Sequence, residues 1–459
     1  MLETYNNESV KQSTQYIRIS QVRAVGSKLV TKLDLSENIK KYFLRDNFVV
    51  QYDKNIDDID ESLLAIPPLF VIAPVAWATG ADIYVEKLDQ ASFDSLHKVR
   101  QVFQGWYPSF SSSGRMYVNN LINNKFNNKH AALLFSGGLD STTSYIMHKD
   151  EHPLLITLLR GETSSFEAEY YDKVKNTFLD FAKNEGVEIH FIKSDVWDRQ
   201  SNLLNNRLLT RDFRVTHWST KVSHGLIFLG LSAPLTVQKA GTLYIASTFA
   251  QDHKVRTGNG SHFLAFTNFS WADIKVIYDG QELTRVAKIK HVLKRNRGYS
   301  KNLRICSSIM DLRYYKNIRS QLYFKNCGSC QKCVETITEL TVAGIDPVEC
   351  NFDLNYKVFD YARRLFTAGA MNLAGEDPEF WYDIQRQIPD TVNDNEVFKR
   401  YQANKFFEWF RDFDISSYRW HTNDTLRRLC WVYCLMKYRG ICDTIKLVLG
   451  NVKKNPTVS

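Results

Sequence analysis

The stretch HAALLFSGGLDSTTS, residues His130–Ser144, decides how the chain is read. Ala131 to Phe135 is a continuous apolar run, the pattern of a strand buried on both faces. It stops at Ser136-Gly137-Gly138, where glycine permits positive φ and lets the backbone approach a ligand closely. A helix is expected from Ser141. Ser136, Gly137, Gly138, Leu139, Asp140, Ser141 and Thr142 thus make a strand–turn–helix loop, and the N–H groups and dipole of a helix start favour an anion. Asp140 is a candidate to hold Mg2+ or to position the loop. The plainer alternative is a Gly-Gly turn with a Ser N-cap. A Walker-type P-loop is excluded, because no Gly-Lys-Ser/Thr follows at the required spacing.

Working outward, Leu154 to Leu159 is a second apolar run, and Val174, Phe178 and Phe181 keep helical spacing up to a capping Gly186. Val187 to Ile192 alternates like a strand. Leu226 to Ser232 reads as a helix, Leu243 to Ser247 and Lys275 to Tyr278 as strands, and Leu283 to Lys294 as a basic amphipathic helix. Strands alternating with helices predict an α/β fold with a mostly parallel sheet, and a ligand site at the carboxyl ends of its strands. Upstream, YIRISQV (16–22), NFVVQY (47–52), PLFVIAP (68–74) and DIYVEKL (82–88) read as strands of a separate N-terminal α+β domain, 1–127. Asn119 to Lys129 is Asn-rich and reads as a linker or loop. After Val342 strand signals fade, and segments such as KFFEWFRDF (405–413) predict a helical region. The expected division is 1–127, 128–345 and 346–459.

Composition agrees with a globular chain of two or three domains: 459 residues, 44% hydrophobic and 13% aromatic. The net charge of +9 is modest and spread along the chain, so it permits an anionic ligand without pointing to nucleic acid. The N-terminus lacks the pattern of a signal peptide. The most apolar window, Ile66 to Gly80, is too short for a membrane span and holds three prolines, so it reads as a buried strand or turn. A cytoplasmic location is expected, and there eight cysteines point to metal or catalysis before disulfides.

Phe324 to Glu335, FKNCGSCQKCVE, gives Cys327-x2-Cys330-x2-Cys333, with Cys306 upstream. Four thiolates complete a tetrahedral structural Zn2+ site with no open position. An iron–sulfur cluster and a set of free buried cysteines are the alternatives, although the ferredoxin pattern wants a further Cys-Pro, which Cys333-Val334 does not supply. Cys350, Cys430, Cys434 and Cys442 read as core residues.

The SGGLDS loop resembles the pyrophosphate-binding loop of the N-type ATP pyrophosphatases. Together with a lone cysteine and then CGSCQKC, it resembles the 7-cyano-7-deazaguanine synthase family (QueC-like proteins) over roughly residues 128–345. The resemblance implies a Rossmann-like parallel sheet of the adenine nucleotide alpha-hydrolase type with a four-cysteine zinc site. It implies ATP and Mg2+ as cofactors, activation of a 7-carboxy-7-deazaguanine-like carboxylate as acyl-adenylate with release of pyrophosphate, and attack by an amine. Thr284-Arg285 stands where the family has a Thr-Lys segment, so Arg285 is a candidate to meet the departing pyrophosphate, or else an ordinary helix residue. Ser223-His224-Gly225 stands where the family shows an Arg-Asn pair, which makes His224 a candidate nucleotide contact or proton carrier, or a structural histidine. Gln251 to His262 suits a lid or a surface loop. The added flanking regions resemble the enlarged members of bacterial antiphage defence systems, in which the acceptor is a protein amine instead of ammonia. Asp57 to Glu61 and Arg207, Arg211 and Arg214 are candidates for docking such a partner, or plain solvated surface. A tRNA-modifying or amidotransfer enzyme and a non-catalytic nucleotide-binding scaffold are the competing expectations.

Overall fold

The computed structural model describes residues 13–107, 113–160, 165–196, 222–248, 267–306, 325–373, 377–390, 396–421 and 423–441, and a few isolated positions. Gln251 to His262, Arg207, Arg211, Arg214 and Cys442 lie outside the described residues. The chain forms two compact units, and neither is contiguous: Met1–Ser136 with His148–Gln281, and Gly137–Met147 with Glu282–Ser459.

The first unit is built on one eleven-stranded sheet, ordered β10-β11-β9-β6-β7-β8-β3-β2-β1-β4-β5. Its strands are β1 (Tyr16–Val25), β2 (Lys28–Leu35), β3 (Asn47–Tyr52), β4 (Asp82–Asp89), β5 (Met116–Ile122), β6 (His130–Leu134), β7 (Leu154–Arg160), β8 (Ile189–Ser194), β9 (Ala240–Ala246), β10 (Ser270–Trp271) and β11 (Ile274–Asp279). From β11 to β8 neighbouring strands are parallel. This is the mixed α/β, mostly parallel architecture that the alternating pattern predicts.

The expected boundary at 127/128 is not where the chain divides. β3 pairs antiparallel with β8, Val50 opposite Ser194 and Tyr52 opposite Ile192, so the N-terminal strands continue the same sheet. Asp53 fastens this seam, accepting from the Phe191 N–H at 2.9 Å while its other oxygen meets His190 Nδ1 at 2.9 Å. The 345/346 boundary likewise falls inside the second unit. Part of the expected Asn-rich linker is strand, since β5 runs to Ile122.

The segment 68–74 is helix, not strand: α1 spans Ile66–Thr79, with Pro67 and Pro68 in the first turn, where a missing N–H costs no hydrogen bond. Its residues from Ile66 to Ala78 are all buried, so no polar stripe betrayed its period. The first unit also holds α2 (Gln90–Trp106), α4 (Ser165–Glu185) and α5 (His224–Thr236), while α3 (Leu139–His148) lies almost wholly in the second unit. α1 and α5 pack closely: a Cβ on Gly230 would stand 2.5 Å from Phe70 Cβ.

The second unit adds α6 (Arg285–His291), α7 (Gln331–Val342), α8 (Val358–Thr367), α9 (Asp377–Arg386), α10 (Glu396–Arg400), α11 (Asn404–Arg411) and α12 (Asp424–Arg439). Its core is aromatic. The Phe366 ring meets Trp381 at 4.8 Å and Phe410, Phe413 and Tyr418 at about 5.4–5.5 Å. Cys350 and Cys434 are buried, as expected of core residues, whereas Cys430 is only half-buried. Among the described residues no helix is long and apolar enough to cross a membrane.

Candidate functional site

β6 lies between β7 and β9 and is parallel to both. The chain moves from β6 to β7 and β8 on one side, then returns to β9 and β11 on the other, so the strand order reverses at β6/β9. In open α/β sheets ligands bind beside such a reversal, at the carboxyl ends of the strands. The loop that leaves β6 is held at its root by β7. Phe135 N–H donates to the Ile156 carbonyl at 2.9 Å, and Thr157 Oγ1 donates to the Phe135 carbonyl at 2.7 Å. The Phe135 ring packs on Phe178 and Phe181 of α4.

Ser136 is exposed, and Gly137 follows at φ +70°, a conformation that glycine adopts without strain. Its carbonyl accepts from the Arg304 N–H at 2.7 Å. The Gly138 carbonyl accepts from the Thr142 N–H at 2.9 Å and from Ser141 Oγ at 3.3 Å. Thr143 Oγ1 donates to the Asp140 carbonyl at 2.8 Å. Leu139, Ser141 and Thr142 are buried. The Ser141 and Thr143 hydroxyls therefore brace the helix start, and Ser136 before it is exposed.

Asp140 lies in the first turn of α3 and is met by two cations of α6: Arg285 Nη1 at 3.0 Å and Lys288 Nζ at 3.4 Å. α6 starts there because Thr284 caps it, its Oγ1 accepting from the Ala287 N–H at 3.2 Å. Residues 285 and 288 then share a face. Arg285 is only 4% exposed. Its Nε and Nη2 donate to the two Glu339 oxygens at 2.9 and 3.1 Å, and Nη2 also donates to Thr336 Oγ1 at 3.0 Å. Burial works against the guanidinium charge, but Glu339, Asp140 and Glu335 outweigh it and raise its pKa above the ordinary value. Arg285 thus stands beside Asp140, with four hydrogen bonds already made inside the unit.

Lys288, Thr336 and Glu339 escaped the sequence reading. The available signal was a pair of acids, Glu335 and Glu339, four apart in a helix whose other residues past its first turn are uncharged and buried. His224 opens α5 in the first unit, half-buried, its ring 4.0 Å from that of Phe228. Asp140 and Arg285 belong to the second unit. Of the acidic stretch 57–61, Asp57 accepts from the Gly26 N–H and Asp60 caps a helical turn at Ser62 and pairs with Lys87, so both have structural work.

Cys306, Cys327, Cys330 and Cys333 are buried, with all four Sγ atoms within 4.8 Å of one another. Cys306 and Cys330 are 3.9 Å apart, Cys327 and Cys333 3.7 Å. A Zn–S bond of ~2.3 Å at tetrahedral angles puts neighbouring sulfurs about 3.8 Å apart, so these residues fit one metal ion such as zinc. An iron–sulfur cage needs room between its thiolates that this spacing does not leave. The site is prepared by backbone: Asn326 Oδ1 accepts from the Ile305 and Cys306 N–H groups, and its Nδ2 donates to the Leu303 and Cys350 carbonyls. Thiols of Cys306, Cys330 and Cys333, with Ser329, hydrogen-bond to Cys327 and hold its pKa well below the usual thiol range, against burial. Gly328 has φ +61°, and a Cβ there would lie 2.5 Å from the Asp353 carbonyl oxygen.

No protein-family model, curated protein or solved structure matches the chain.

Proposed function

We propose that the protein is an ATP-dependent enzyme of the N-type ATP pyrophosphatase kind, with a Rossmann-like sheet. It adenylates a 7-carboxy-7-deazaguanine-like carboxylate and transfers the acyl group to an amine. The observation that carries this reading is the Ser136–Ser141 loop, which leaves β6 at the reversal of strand order with Gly137 at positive φ. In the first step the substrate carboxylate oxygen attacks the α-phosphorus of ATP, the bond to the β-phosphate oxygen breaks, and pyrophosphate leaves. The amine nitrogen then attacks the acyl carbon, AMP departs, and the amine loses a proton. Gly137, Gly138 and the first turn of α3 would receive the leaving phosphates, with Asp140 at the edge of that turn directing Mg2+ or the loop itself. Zinc in the four-cysteine site would be structural, since four thiolates leave no position for substrate. The acceptor is ammonia or a protein amine; an antiphage role, a cytoplasmic location and the absence of nucleic-acid partners belong to the same reading.

The pairing of Asp140 with Arg285 and Lys288 favours one second reading, a scaffold that binds nucleotide without turning it over. Incubation with ATP, 7-carboxy-7-deazaguanine and candidate amines, followed by mass spectrometry, separates the two. AMP with a matching mass gain on an acceptor is expected. ATP binding with neither product leaves the scaffold, and no ATP binding sinks both.

A further inference from the structure

Helix α7 carries two kinds of chemistry. Cys330 is its N-cap and Cys333 lies in its first turn, while Thr336 and Glu339 bind Arg285 further along. Six residues of helix separate Cys333 from Glu339, about 9 Å along one rigid element. Three hydrogen bonds donated to Thr336 Oγ1 and both Glu339 oxygens fix the plane of the guanidinium, and the fourth is donated to Asp140. A planar fork held in this way cannot follow its last partner, so the partner is brought to the fork.

We infer that Thr336 and Glu339 are positioning residues for the loop acid: they set Arg285, Arg285 sets Asp140, and the four-cysteine site, by fixing the start of α7, determines where Asp140 stands. The inference rests on the nucleotide reading of the loop. Coordination of the metal and anion binding at α3 are then linked through side chains that touch neither ligand.

The test is ATP affinity by calorimetry on the full chain, for the unaltered protein, Glu339→Gln, Asp140→Asn and the double variant, with zinc content and thermal midpoint measured on each. Glu339→Gln is expected to bind ATP about tenfold more weakly with its zinc retained, and to add little to the loss in Asp140→Asn, because the two residues act through one chain of contacts. Thr336→Val, which keeps the side-chain shape, gives a smaller loss of the same sign and answers alone if Glu339→Gln does not fold. ATP affinity unchanged in both α7 variants, or a Glu339→Gln loss that adds in full to that of Asp140→Asn, overturns the inference. Failure of the unaltered protein to bind ATP instead overturns the reading of the loop.

Discussion

In the first unit His148 stands between two carboxylates, with Glu151 Oε1 2.6 Å from Nδ1 and Asp279 Oδ1 2.9 Å from Nε2; in the second, Arg285 stands between Asp140 and Glu339. The imidazole also stacks on Tyr244, ring centres 3.8 Å apart. Both ring nitrogens face acceptors, so the arrangement is satisfied only by the imidazolium. Burial lowers the His148 pKa, but the hydrogen bonds and charges of Asp279 and Glu151 outweigh it and leave it raised. Arg285 keeps its proton at every working pH. One grip is conditional on protons and the other is permanent. It is the permanent one that touches Asp140, in the first turn after the glycine loop.

Four experiments press on this contrast. The largest effect is expected from removing metal with a strong chelator, because structural zinc sites contribute on the order of 10 kcal/mol to the folding of their unit. The near-ultraviolet signal of the aromatic second unit should collapse, and its persistence would show that α7 and the Arg285 grip stand without metal. Next, Glu339→Ala strips the main partner from a buried guanidinium and should cost about 3–5 kcal/mol in urea unfolding, equally at pH 6 and pH 8. A cost that changes with pH would erase the distinction between the two grips.

His148→Gln should cost about 1 kcal/mol at pH 6, a partly exposed histidine pair being worth less than a buried one. The sign of its pH dependence follows from a folded pKa above the unfolded value. The stabilisation is fully present below about pH 6.5, the unfolded value, and disappears as pH rises through the raised folded pKa. Unfolding curves of the two proteins should therefore converge by pH 9, and a constant gap would mean that His148 packs without being charged. The smallest effect is expected for Lys288→Met, within about 1 kcal/mol, because Arg285 still pairs with Asp140 and no buried charge is left uncompensated. A loss as large as that of Glu339→Ala would make Lys288 the principal partner of Asp140.

Much of the parallel sheet was legible because its signals are local: a continuous apolar run for β6, glycine at its end, and Gly186 closing α4. The seam between β3 and β8 was not, because Val50 and Ser194 pair across a long separation in sequence and neither strand names its partner. α1 was misread for the opposite reason, since a helix buried on every side loses the polar stripe that marks its period. At the candidate site the loop and the cysteine spacing were plain, and the four thiols do converge. The grip on Arg285 was hidden, since Thr336 and Glu339 acquire meaning only when α6 and α7 pack.

The second unit takes in only Gly137–Met147 from the first half of the chain, as an excursion from strands that belong elsewhere. During synthesis Asp140 leaves the ribosome well before Arg285, Lys288 and the cysteines of α7 exist. α3 must therefore wait with its acid unpartnered until most of the chain has been made, so assembly of the loop follows synthesis of the metal site. A fragment cut at Glu282 would carry the cysteines and the guanidinium but lack the helix that they close upon. The boundary that looks convenient for dissection is the one that would sever the acid from its grip.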